Sequence, residues 1–455
     1  MFNLFPISRG IHMMRQQRYA DARRHFESLI RSGVKPAAAH FNCGVCCFKM
    51  RDITAARQHL HAALMIDHSP AMTSDILEIT NWRMIASHEW FNAWPQFSFD
   101  GKRVVYTSAR KSASGERITG HDRAGLYIYD LARKKEICLK ETAMHYMQPR
   151  FSPAGNTVSC LSVRDGSTDQ SRAGLYLIDT ETGDEHELLG PRHRIKYQQF
   201  TPDGRHIIIS GWAANSSASG IYKVDCTTGS METLVQGTFE TTFPDISSGG
   251  DRLVYSSWRS DTNSDGIVDF RDYSAIYLKS IFDGNETPLV PETYNSMFPH
   301  FSPDGRYVLY LSIRRDTNGD GRIDMMDNAG IYLYDLHKHR EHCLVDDDFY
   351  NKFPVFTPDG KRVIFVSNWR RKKYSDEVND KLENKGVYMT DLSGRNIVRV
   401  MSDKYYCSRS PVASPTGNQV AYVSWRKNTG RGLYVASIDE LPLPEQLHAF
   451  IDANL

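Results

Sequence analysis

Short apolar runs, each closed by serine, recur along most of the chain: VVYTS at 104–108, IIIS at 207–210, VLYLS at 308–312 and VIFVS at 363–367. They are rich in β-branched and aromatic residues, too short for helices, and apolar at successive positions. That combination predicts strands buried on both faces. A turn of the Pro-x-Phe-Ser-Pro-Asp-Gly kind precedes each run, proline pre-setting φ and glycine accepting a positive one. A second run follows, as in GLYIYD at 125–130, GIYKVD at 220–225 and GIYLYD at 330–335, and then a shorter third such as EICLK, METLV or HCLV.

The unit begins near Pro95, Pro149, Gln198, Pro244, Pro299, Pro354 and Pro411, at spacings of 46 to 57 residues. Seven copies of four strands predict a mainly β chain, a seven-bladed β-propeller whose sheets pack face to face. Residues 83–87 and 445–450 are both placed to supply the fourth strand of the last copy.

Residues 3–70 follow a different period. Gly10 matches Gly44, Ala22 matches Ala56, Phe26 matches Leu60 and Leu29 matches Ala63, a repeat of 34 residues. Small residues there let two antiparallel helices approach while the larger ones fill the gap between them. Residues from 73 to about 87 are expected to begin as a helix that caps these repeats. The expected domains are therefore a small α-helical unit over 1–82 and the propeller over 83–455.

The β units resemble the TolB-like propeller repeat, which carries the same Pro-x-Phe-Ser-Pro-Asp-Gly and Ile-Tyr-x-x-Asp signatures, over roughly residues 85–450. The copy at Pro244 departs most, with Ser-Ser-Gly-Gly at 247–250 in place of the turn. The helical repeat resembles the tetratricopeptide repeat in period, although His40 stands where a bulky aromatic is usual. The first resemblance implies a scaffold for protein interaction, with enzymes among its relatives, and so a fold more firmly than a function.

Two acidic stretches interrupt the β pattern between the second and third strands of neighbouring copies. Asp316, Asn318, Asp320, Asp324 and Asp327 fall at relative positions 1, 3, 5, 9 and 12, with Gly321 at 6 and the Arg322 carbonyl at 7. Asp261, Asn263, Asp265, the Ile267 carbonyl, Asp269 and Asp272 repeat the layout 55 residues upstream. Converging small oxygen donors with a glycine at the turn are what a hard cation needs, and the expectation is two calcium ions that staple the loops. The stretches resemble dockerin loops more than EF-hands, because position 12 is Asp and no helices flank them.

An aromatic residue recurs five positions before the proline: Trp90, Phe239, Tyr294, Phe349 and Tyr406. The choice is between packing of neighbouring blades and an aromatic mouth that binds a partner. Gln96, Arg150, Gln199, Asp245 and His300 follow the proline position and are candidates for the central channel, and His145 and His300 are the histidines to inspect there for a metal.

Composition narrows the function. Net charge is +1, with 55 basic and 54 acidic side chains, which gives no electrostatic footprint for nucleic acid. No apolar run approaches the roughly 20 residues of a membrane span, and no Sec-type signal is visible at the N-terminus. Cys43, Cys46 and Cys47 lack a second cysteine pair at zinc spacing and read as small buried helix residues, reduced thiols of a cytoplasmic protein. The phosphate loop, the Gly-x-Ser-x-Gly elbow and His-Glu-x-x-His are all missing. The preferred reading is a calcium-stabilised scaffold that binds a protein partner through the propeller face and the helical repeats. The alternative is a propeller enzyme, lyase or hydrolase in type, acting on a polymer at the channel.

Overall fold

The computed structural model describes residues 6–67, 82–87, 89–112, 115, 118–119, 121–141, 144–165, 168–237, 239–368, 386–401, 406–426 and 431–438. The chain divides into two compact units, Met1–Arg83 with Ala436–Leu455, and Met84–Val435.

Among the described residues the first unit holds four helices, α1 (Pro6–Arg15), α2 (Tyr19–Arg31), α3 (Pro36–Lys49) and α4 (Ile53–Ile66), each packed on the next. The 34-residue period shows in the packing. A Cβ on Gly10 would lie 2.3 Å from the Phe26 ring, and one on Gly44 would lie 2.9 Å from Leu60. Both glycines are thus the clearance for a large side chain one helix on. Proline opens α3, and Asp52 caps α4 by accepting the Ala55 N–H. The first part of the expected capping segment, residues 73–81, lies outside the described residues, and residues 82–86 are a strand. Among the described residues no helix is long and apolar enough to cross a membrane.

The second unit is a β-propeller, but the seven-bladed expectation is overturned by its sheet topology. Five blades stand as separate four-stranded antiparallel sheets, over 145–189, 194–236, 240–290, 295–345 and 351–401. The first and last repeats merge into one eight-stranded sheet. The cause is a parallel bridge from Phe91 to Arg431, backed by the Arg431 N–H donating to the Trp90 carbonyl at 2.8 Å. Counting repeats could not anticipate a pairing between residues 340 positions apart. Closure is also settled, since the strand Trp82–Ala86 pairs with Arg431–Ser437. Residues 445–450 lie outside the described residues.

The innermost strands, Phe91–Phe97, His145–Phe151, Arg194–Phe200, Glu240–Ile246, Asn295–Phe301, Asn351–Phe356 and Tyr406–Ala413, touch in chain order, and the last returns to the first. Six of them break register at the X-Pro pair, where the residue before proline takes a positive φ: Trp94, Gln148, Phe243, Phe298, Phe353 and Ser410 at 49° to 56°. Proline has no N–H to give the ladder, so the strand bulges around it. The remaining strand has Gln198 in the proline's place and pairs straight through 197–200.

Candidate functional site: a polar run in the channel

The residue one place past the proline position is half-buried in every repeat, as expected of side chains that line a channel. In five consecutive repeats it is polar (Gln96, Arg150, Gln199, Asp245, His300), and in the last two it is Val355 and Val412. The polar five form one run. Arg150 donates from Nη1 to Gln96 Oε1 at 2.5 Å, and its guanidinium lies 5.6 Å from the Tyr197 ring. Tyr197 donates its hydroxyl to Gln199 Oε1 at 3.1 Å, and Gln199 hydrogen-bonds Asp245. Asp245 Oδ2 accepts the Phe301 N–H at 2.8 Å and lies 3.9 Å from His300 Nδ1.

The electrostatics are unusual for a stabilising network. Burial raises the Asp245 carboxyl above its ordinary range, against the pull of His300 and the Phe301 N–H. Burial lowers His300, with Asp245 opposing and Arg150 adding to the shift. Both stay wet, with side-chain exposures of 19% for Asp245 and 35% for His300. Arg150 has no carboxylate partner among the described residues, and its Nε is buried without a hydrogen bond. A recessed cation held, among the described residues, by a neutral amide and an aromatic ring has the chemistry to receive an anion. His145, the other histidine singled out in the sequence, is buried, and its Nδ1 accepts the Ala124 N–H at 3.2 Å.

The aromatic connectors occupy a different environment, one that depends on arginines the sequence reading missed. Arg110 lies 3.8 Å from the Trp90 ring and 3.6 Å from Tyr127, and pairs with Glu136 at 2.7 Å. Arg259 repeats this with Phe239, Tyr277 and Glu286, and Arg314 with Tyr294, Tyr332 and Glu341. The second repeat keeps Arg164 between Tyr146 and Tyr176, paired with Glu185. Trp90, Phe239 and Tyr294 therefore cover a guanidinium of their own blade. Phe349 is half-buried, and the Tyr406 side chain lies outside what the structure describes. The signal was present in the sequence as an arginine just after the second strand of four repeats, Arg110, Arg164, Arg259 and Arg314.

The acidic loops sit where expected, between Arg252–Trp258 and Ala275–Ser280 and between Tyr307–Ile313 and Gly330–Asp335. Gly266 and Gly321 take φ of 82° and 83°, the turn that position 6 requires. The early oxygens form matching ladders. Asp261 Oδ2 accepts Gly266 N–H, Asn263 Oδ1 accepts Asp265 N–H and Asp265 Oδ1 accepts Ile267 N–H; Asp316, Asn318 and Asp320 do the same for Gly321, Asp320 and Arg322.

Position 12 differs from expectation. Asp272 and Asp327 are buried, and each accepts both the N–H and the hydroxyl of an upstream threonine plus two further backbone N–H groups. Asp122, in a loop without the acidic pattern, holds the same place three residues before its third strand and accepts from Thr119. Loop hydrogen bonding therefore accounts for this aspartate without a cation. The remaining oxygens suit a hard cation in kind, and the second loop suits it better. In the first, Arg271 already pairs with Asp265 and Asp269, at 3.1 and 2.7 Å, whereas Met326 holds the corresponding place in the second.

No family model matches the chain. It is 25% identical over 116 residues to the uncharacterized peptidase YuxL of Bacillus subtilis, 26% of this chain and 16% of that protein. It is 27% identical over 99 residues to the Tol-Pal system protein TolB of Gluconobacter oxydans, 22% of this chain and 18% of that one. The matched regions thus span less than a fifth of these relatives. Among solved structures, an oligogalacturonate lyase in complex with manganese aligns with a TM-score of 0.55 at 14% identity, covering 79% of this chain and 93% of that one. The likenesses to solved structures show the fold, a β-propeller.

Proposed function

We propose that the chain is a propeller enzyme acting on an anionic polymer at its channel. Arg150 holds an acidic group of the substrate, His300 exchanges a proton through Nε2, and Asp245 steadies the imidazole from the Nδ1 side. The observation that carries this reading is the recessed Arg150 guanidinium, unpaired by any carboxylate among the described residues and joined through Tyr197 and Gln199 to the Asp245–His300 pair. Abstraction of a proton next to a carboxylate needs a base beside a cation that takes up the developing charge, and this run supplies both. The likeness to an oligogalacturonate lyase, which extends over nearly all of that chain, supports a polymer substrate, and the YuxL likeness supports an enzyme. The test is incubation with a panel of acidic oligosaccharides, oligogalacturonate first, followed by ultraviolet absorbance of unsaturated products and by reducing-end release. Inactivity on the whole panel, with no binding, would remove the enzyme reading.

A second reading is a calcium-stabilised protein-binding propeller, and the acidic loops favour it. Ile267, Phe270, Met325 and Met326 are all exposed on them, Met326 to 72%. Calcium would be held by Asp261, Asn263, Asp265, the Ile267 carbonyl and Asp269, and by Asp316, Asn318, Asp320, the Arg322 carbonyl and Asp324. Its contribution would be charge neutralisation that tightens the loops. The helical repeats would offer a further partner surface. A pulldown from native extract with and without chelator tests this reading, and recovery of the same proteins in both arms would count against it.

A further inference from the structure

The sequence reading took Cys43 and Cys47 for packing residues, and both are fully buried. Their surroundings are not only apolar. They lie one turn apart on α3, facing His59 of α4, and the two sulfurs and one imidazole nitrogen all lie within 4.8 Å of one another. Among the described residues this is the one group of three such side chains whose donor atoms converge to that degree. Cys43 Sγ is 3.4 Å from His59 Nε2. Tetrahedral zinc with Zn–S of about 2.3 Å and Zn–N of about 2.0–2.1 Å sets its sulfur and nitrogen ligands roughly 3.5 Å apart. The existing spacing is already that of two ligands of one ion.

The other face of the ring is also arranged. His59 Nδ1 lies 3.0 Å from His40 Nδ1, so one nitrogen must donate and the other accept. With the proton on His59 Nδ1, its Nε2 carries a bare lone pair toward the sulfurs. A metal-bound histidine is usually fixed in this way, by a hydrogen bond from its second nitrogen. Two thiols and two half-buried imidazoles are thus gathered at one place between α3 and α4. Cys46 is equally buried, but it lies outside the group.

We propose that Cys43, Cys47 and His59 form a binding site for a thiophilic d10 cation, zinc(II) in the first instance, with His40 as the positioning residue for His59. Binding releases the two thiol protons to solvent and leaves a fourth coordination position for water or another ligand. Burial raises both thiols, so without metal they stay protonated and are poor redox nucleophiles.

The test uses the full chain, reduced and stripped of metal, titrated with cobalt(II) as a spectroscopic stand-in and then with zinc. One equivalent of cobalt should give a thiolate-to-cobalt charge-transfer band that zinc abolishes; carboxylate loops cannot produce that band. Cys43→Ala, Cys47→Ala and His59→Gln should each lose it while keeping the far-ultraviolet helical signal. Cys46→Ala should keep it, and His40→Ala should weaken affinity about 10- to 100-fold. The proposal is overturned if the wild type gives no such band, if Cys47→Ala retains it at wild-type affinity, or if Cys46→Ala loses it as fully as Cys47→Ala does.

Discussion

His300 Nδ1 lies 3.9 Å from Asp245 Oδ2, joining the innermost strands of two neighbouring blades. The bulge that precedes each residue is what proline imposes on its strand, so the pair rests on a backbone feature repeated around the ring. Replacement of His300 by Gln should lower turnover of an acidic oligomer by about 10²- to 10⁴-fold with little change in KM, as loss of a proton-transfer group does. Asp245→Asn should have the smaller effect, since it acts through the imidazole. Steady-state kinetics on both variants checks this; a loss in KM alone would reassign the pair to binding.

Stability should depend on pH through the same pair, in two opposite senses. Burial raises Asp245, so above the ordinary carboxylate range the folded protein keeps a proton that the unfolded chain has released. Stability should therefore fall as pH rises through that window, and Asp245→Asn should remove the fall. Burial lowers His300 from 6.5, so below that value the unfolded chain takes up a proton that the folded one refuses. Stability should drop on acidification from about pH 6.5, and less steeply in His300→Gln. Urea midpoints at a series of pH values read both; superimposable wild-type and variant profiles would argue against burial as the cause.

Calcium affinity should follow the Arg271–Met326 difference between the acidic loops. Arg271 occupies the carboxylates of the first loop as an internal cation, so Arg271→Met should tighten calcium binding there about tenfold, and Met326→Arg should weaken it in the second. Calorimetric titration with calcium separates the two sites. Equal affinities in all three proteins would show that these carboxylates do not set the binding.

The arginines beneath Trp90, Phe239 and Tyr294 should matter to folding. Arg259 stacks on Phe239 and Tyr277 and pairs with Glu286 at 2.7 Å, so its removal leaves the partly buried Glu286 with only the Tyr255 hydroxyl and the more distant Lys279, at 3.9 Å. Arg259→Met should cost about 2 kcal/mol, with the denaturant midpoint lowered and the slope unchanged. Arg192→Met, on an exposed turn, should stay within about 0.5 kcal/mol. Comparable losses in both would mean that the stack contributes nothing specific.

Much of the architecture was legible because its signals are local. Gly10 and Gly44, 34 residues apart, announced matching helical contacts, and both contacts exist with Phe26 and Leu60. The Pro-x-Phe-Ser-Pro-Asp-Gly turns marked the innermost strands, and the residue one place past the proline is half-buried in every repeat. What stayed hidden depends on partners far away in the chain. Phe91 and Arg431 pair across almost the whole sequence, and that bridge merges two repeats that spacing alone kept separate. The aromatic connectors invited a surface role because the arginines beneath them fall in another part of the repeat. Position 12 of each acidic loop looked like a ligand until Asp122 showed the same hydrogen bonding in a loop without the pattern. Cys43 and Cys47 gave no zinc spacing along the chain, since His59 joins them from the next helix.

The central claim is that Arg150 is the anion-binding group of a working channel. Calorimetric titration of wild type and Arg150→Gln with a short galacturonate oligomer tests it most directly. The channel site predicts one binding event in the wild type and a loss of about 10- to 100-fold in the variant, the usual worth of a charge-assisted hydrogen bond. Equal affinities in the two proteins, or no binding to either, would contradict it.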